Sequence, residues 1–113
     1  MNIPPVLAEP VARLMALDQE SVFALADIAA ERVRQVEAEG WTPAHDDGHK
    51  PGEMARASAC YALEGWTADS PPMRYWPWSS GWWKPKSLHR NQVRAGALLV
   101  AELARHLRSA PRR

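Results

Sequence analysis

The chain is predicted to fold as a mostly α-helical single domain. Three main helices, at about 21–39, 51–64 and 88–107, form a small bundle, with a Trp/Pro-rich irregular connection at 66–86. Three observations predict this. Apolar residues recur at helical spacing in each of the three segments. Each segment is bounded by residues that start or stop helices, such as Ser21, Gly40, Gly65 and Ser87. Prolines 71, 72, 77 and 85 forbid a continuous helix between the second and third segments and discourage a central strand there.

Residues 1–20 read as an extension. Residues 1–8 are broken by proline and read as loose, and a short helix is predicted over Pro10–Leu17 with Val11, Leu14 and Met15 on one face. Asp18 or Ser21 offers an N-cap for the first strong helix. Along it Phe23, Leu25, Ile28, Ala29, Val33 and Val36 form the expected apolar face, while Asp27, Glu31, Arg34 and Glu37 fall largely elsewhere. Gly40 is a natural left-handed stop. Gly40–Glu53 is then predicted as a hinge loop. Pro51 suits the first turn of the next helix, where its missing N–H costs nothing. That helix carries Met54, Ala57, Ala59, Cys60, Tyr61 and Leu63, its alanines permitting close approach by a neighbour. Ser87 caps the last helix, whose stripe includes Val93, Ala97, Val100, Ala101, Ala104 and Leu107. Gly96 within it costs about 1 kcal/mol against alanine and fits best where another element approaches closely. The domain is predicted to span 21–108, followed by a basic tail at 109–113.

A chain of 113 residues is one domain's worth, able to bury roughly 65% of its unfolded surface. Fourteen basic against thirteen acidic residues leave a formal charge of +1, which argues against a general nucleic-acid binder. Arg105, Arg108, Arg112 and Arg113 are a local exception. The single Cys60 has no internal disulfide partner, which fits a reducing compartment and a core position. No apolar run approaches the roughly 20 residues that span a bilayer, and the N-terminus lacks the features of a signal peptide. A cytoplasmic protein with no membrane partner is expected. The apolar segments 22–37 and 90–107 carry more surface than one small domain covers, which predicts a homo-oligomer.

Chemistry concentrates in Gly40–Glu53. His45, Asp46, Asp47, His49 and Glu53 supply imidazole and carboxylate, the groups that hold divalent metals and move protons. His45, Asp46 and His49 are the candidate metal ligands, and Glu53 is the candidate catalytic base. If the helix begins near His49, that residue and Glu53 share a face. The acids would equally cap the helix that follows, and the spacing matches no specific zinc signature. A second cluster joins Tyr75, Trp76, Trp78, Trp82 and Trp83 to Lys84, Lys86, His89 and Arg90. Aromatic faces stack on bases and nearby cations meet phosphate, although the same rings could simply seal the core. Trp76, Trp83, Lys84, Arg90 and Arg94, with Arg34 and Trp41, complete the predicted ligand-binding set, which also includes His45, Asp46, Asp47, His49 and Glu53. All-α nucleotide pyrophosphohydrolases hold magnesium with paired helix acids. Here the registers read Glu31-x-x-Arg34 and Glu102-x-x-Arg105, arginine standing where the second acid belongs, and solvated helix faces are the simpler reading of these charges.

Several words occur in an order that resembles a family of small bacteriophage and prophage proteins. They are Glu31-Arg32-x-Arg34-Gln35, Glu39-Gly40-Trp41-Thr42, His45-Asp46-Asp47-x-His49-x-x-Gly52-Glu53, Trp76-Pro77-Trp78, Trp83-Lys84-Pro85 and Arg94-Ala95-Gly96-Ala97-Leu98. The resemblance covers roughly residues 26–106 and departs at Met54, where leucine is usual, and at His89, where a second basic residue is usual. It implies a phage gene product acting in a bacterial cytoplasm and nothing catalytic. Three functions compete. The first is binding of a small phosphorylated ligand, a nucleotide or nucleotide signal, in the service of anti-defence. The second is metal-dependent nucleotide (pyro)phosphohydrolysis. The third is inhibition of a host protein by direct contact.

Overall fold

The computed structural model describes residues 2–67 and 74–110 and is mostly helical, with no strand among the described residues. Its α-helices are α1 (Pro5–Met15), α2 (Gln19–Glu39), α3 (Pro43–Asp47), α4 (Glu53–Leu63) and α5 (Leu88–Ser109), with a 3-10 turn at Ser80–Trp82. The three predicted main helices are α2, α4 and α5; α1 is the helix expected in the N-terminal extension, and the five-residue α3 is an addition to them. Among the described residues no helix is long and apolar enough to cross a membrane. The part of the Trp/Pro connection at 68–73 and the tail residues 111–113 lie outside the described residues.

α5 is the hub, since α4, α2 and α3 all pack on it. The core lies between α4 and α5, where Ala57, Cys60 and Tyr61 meet Ala95 and Leu98 under Trp76. Small residues bring the two backbones close enough for the Ser58 hydroxyl to donate to the Ala95 carbonyl at 2.6 Å. Gly96 works as expected: a Cβ there would stand 2.5 Å from Ile28 Cδ1, so its absence lets α2 settle on α5.

Three features differ from the sequence reading. α1 begins at Pro5, whose fixed φ suits the first helical position, and it runs through Pro10 instead of starting there. Pro10 removes one backbone bond, a loss that water can make good because α1 buries no residue. α4 begins two residues after Pro51. Gly52 takes a φ of 86° at its N-cap, and Glu53 reaches back to accept from the Lys50 N–H at 2.6 Å. The largest difference is the inward face of α2. Its buried residues are Glu31 and Gln35, while Phe23, Leu25 and Val33 are exposed. Leu99, Val100 and Leu103 of α5 and Val6, Leu7, Leu14 and Met15 of α1 are exposed as well.

Capping otherwise follows the sequence. Asp18 accepts from the Ser21 N–H at 3.0 Å, and Gly40 ends α2 at φ 74°. Ser87 accepts from the Arg90 N–H, and the buried Asn91 side chain bonds both backbone groups of Lys86, fixing the loop that enters α5.

Candidate functional site

The stretch predicted as a hinge loop contains a helix. Thr42 accepts from the His45 N–H at 3.2 Å and Pro43 takes the first position, so Thr-Pro starts the five-residue α3. The turn that follows carries the His49 N–H to the Asp46 carbonyl at 3.1 Å. His45 and His49 therefore face one another, ring centroids 5.1 Å apart and edge to face. The expected pairing of His49 with Glu53 on one helix face does not occur, because α4 starts only at Glu53.

Asp46 points inward and is 3% exposed. Arg32 of α2 donates to its Oδ2 at 2.7 Å, while its Oδ1 lies 3.4 Å from His45 Nδ1. Arg32 also donates to Gln35 Oε1 and to the Trp41 carbonyl, so one guanidinium ties α2 to the start of α3. His45, Asp46 and His49 each offer one ligand atom within 4.8 Å of the others, a set able to hold a metal ion. Trp41 stacks parallel to His45, and Trp78 lies 5.1 Å from His49, so aromatic neighbours flank both imidazoles.

These groups form one end of a cavity of about 370 Å³. Trp41, Tyr61, Trp76, Trp78 and Trp82 supply its aromatic wall, and Met54, Leu98 and Ala101 its floor. Trp78 is positioned from α4, since its Nε1 donates to Glu53 Oε2 at 3.0 Å. Trp76 donates to the Ser79 carbonyl and packs edge-on against Tyr61. The volume falls in the range of small-molecule sites, which are mostly apolar with a few convergent polar groups.

The predicted ligand set divides. Trp41, His45, Asp46, His49 and Trp76 line the cavity; Arg34, Asp47, Glu53, Trp83, Lys84, Arg90 and Arg94 do not. Asp47 faces outward and pairs with Arg108, which holds its carboxyl below the usual range. Both oxygens of Glu53 are occupied, by the Lys50 N–H and the Trp78 indole, and these bonds keep its carboxyl below its ordinary value. That arrangement suits a positioning role better than a catalytic base. Trp83 packs against the core, 4.6 Å from the Tyr61 ring. Lys84 stands at the rim, its Nζ 5.9 Å from the Trp82 ring centroid.

Arg34, Arg90 and Arg94 converge instead on Glu31. Arg34 grips both carboxylate oxygens at 2.9 Å, Arg90 donates at 2.6 Å and Gln35 at 3.1 Å, with Arg94 at 3.9 Å. Burial opposes charge on Glu31, but the hydrogen bonds from Arg34, Arg90 and Gln35 outweigh it and lower its pKa to about 2. The reading of Glu31 as part of a solvated face is thus corrected, since it is 2% exposed. Glu102 accepts from the Gly52 N–H at 2.7 Å through Oε1, while its Oε2 is buried with no hydrogen-bond partner among the described residues; Glu31 is wholly taken up by Arg34, Arg90 and Gln35.

The predicted site residues omit Arg32 and Tyr61, and the ligand set leaves out Trp78 and Trp82, which appear only in the aromatic cluster. The signal for Arg32 was its register: Ile28, Glu31, Arg32 and Gln35 fall at i, i+3, i+4 and i+7, one helical stripe composed mainly of polar groups. No family model, no curated protein and no solved structure matches the chain.

Proposed function

We propose that the protein binds a small phosphorylated ligand, most simply a nucleotide or nucleotide signal, in the aromatic cavity. The observation that carries this is a cavity of about 370 Å³ walled by Trp41, Trp78 and Trp82, with Arg32 and His45 at its polar end. A base stacked on such rings gains about 1–3 kcal/mol, and the cation for an anionic group is Lys84, whose Nζ lies 5.9 Å from the Trp82 ring centroid, since Arg32 is already engaged by Asp46. The earlier grouping of Arg34, Arg90 and Arg94 as phosphate contacts is set aside, because Glu31 already engages them. In the phage setting that the sequence resembles, such binding would sequester a host signalling nucleotide and so counter defence. The exposed apolar faces of α2 and α5 are the surfaces that self-association would cover.

Calorimetry against mono-, di- and cyclic nucleotides is expected to find one site per chain for at least one class. Trp82 is 56% exposed, so Trp82→Ala leaves the fold intact while weakening binding by about 1–3 kcal/mol. A panel in which no nucleotide binds contradicts the proposal.

A metal-dependent nucleotide phosphohydrolase is the second reading, favoured by the convergence of His45, Asp46 and His49. Running the same panel with manganese or magnesium, and assaying released phosphate, separates the two. Binding without turnover supports the first reading, and metal-dependent release supports the second.

A further inference from the structure

We infer that His45, Asp46 and His49 form a binding site for one divalent transition cation of the zinc class, whatever ligand fills the rest of the cavity. The donor chemistry is specific. Two imidazoles and one carboxylate suit zinc and its first-row neighbours, whereas calcium and magnesium prefer all-oxygen sets. Three protein ligands also leave a coordination position open, the arrangement of reactive rather than purely structural sites.

The geometry is nearly assembled. Metal bonds of about 2.0–2.1 Å place two ligands of a tetrahedral ion roughly 3.3 Å apart. His45 Nδ1 and Asp46 Oδ1 already stand 3.4 Å apart, and the three ligand atoms lie within 4.8 Å of one another. Side-chain rotation alone can close the remaining gap, because His45 is exposed and His49 half-buried.

A second observation is the backing of the site. Arg32 holds Asp46 through Oδ2 at 2.7 Å, which leaves Oδ1 turned toward His45. Ligating carboxylates are characteristically fixed by such an outer partner. Arg32 is in turn fixed by Gln35 Oε1, and Gln35 by Glu31, so the buried polar stripe of α2 ends at the ligand set. This gives the stripe a purpose that packing alone does not. All three residues line the aromatic cavity, so an ion held by them would stand at its edge.

Titration with cobalt(II) alone, followed by its visible ligand-field absorption, tests the site without any nucleotide. One ion per chain is expected, with the intense bands of four- or five-coordination, displaced stoichiometrically by zinc. His45→Ala and His49→Ala each abolish the bands, while His89→Ala combined with His106→Ala leaves them unchanged. Arg32→Gln is expected to keep the spectrum but weaken affinity about 10–100-fold, the effect of losing an outer-shell partner. Circular dichroism establishes that each variant is folded. The wild-type protein also supplies a readout that needs no variant: paramagnetic cobalt broadens the ring signals of His45 and His49 before those of His89 and His106. Absence of one-to-one binding in the wild type, or broadening centred on His89 or His106, overturns the inference.

Discussion

Glu31→Ala is expected to cost about 3–5 kcal/mol, a large fraction of the 5–15 kcal/mol that holds a domain of this size. The carboxylate is buried between α2 and α5 and is the common acceptor for Arg34, Arg90 and Gln35. Removing it leaves Arg90 and Arg94 without their carboxylate, while Arg34 retains Glu39 at 3.1 Å. Arg34 and Arg90 are partly exposed and regain some water, which places the cost toward the lower end of that range. The ordinary pKa of 4.5 falls to about 2 in the folded protein. A depressed carboxylate stabilises the fold fully above the higher value, and that contribution drains away as pH falls from about 4.5 toward 2. Urea unfolding of wild type and Glu31→Gln at pH 7 and pH 3 checks this. The wild type should lose more stability on acidification than the variant, and equal losses would contradict the assignment.

Trp76→Ala is expected to be comparably destabilising, about 3–5 kcal/mol, for a different reason. Trp76 is the buried ring on which the Trp/Pro segment is built, with Tyr61, Trp78 and Trp83 centred 5.8, 5.5 and 5.1 Å away. Its loss opens a void in the α4–α5 core and removes one wall of the cavity. Thermal unfolding and nucleotide calorimetry on Trp76→Ala and Trp82→Ala together separate sealing from binding. The first variant should lose stability and affinity together, and the second affinity alone.

Helix positions were legible because their signals are local. Asp18, Gly40, Gly65 and Ser87 bound α2, α4 and α5 where chemistry places them, and Gly96 marked the close approach of Ile28. The five-residue α3 was written in Thr42-Pro43, an N-cap followed by the proline favoured at the first position, within a stretch too short for periodicity to register. Which face of α2 turns inward was not legible. Apolar spacing favours burying Phe23, Leu25 and Val33, but the arginines of α5 and the carboxylate of α3 reward burying Glu31 and Arg32's partner side instead. Those partners lie 14 and 59 residues away, beyond the reach of any local rule. The same long-range pairing explains the site. His45, Asp46 and His49 were recognisable as ligand types in one short segment, whereas Arg34 and Arg90, placed with them in the predicted ligand set, pair with Glu31 instead.

A ligand is expected to bind in the aromatic cavity, and the six indole N–H signals of the chain report on it directly. In a two-dimensional spectrum recorded during nucleotide titration, Trp41, Trp78 and Trp82 should shift together and saturate at one equivalent. Trp66, exposed and away from the cavity lining, should stay in place. Indoles that remain unmoved at saturating nucleotide, or a shift confined to Trp66, would contradict the account.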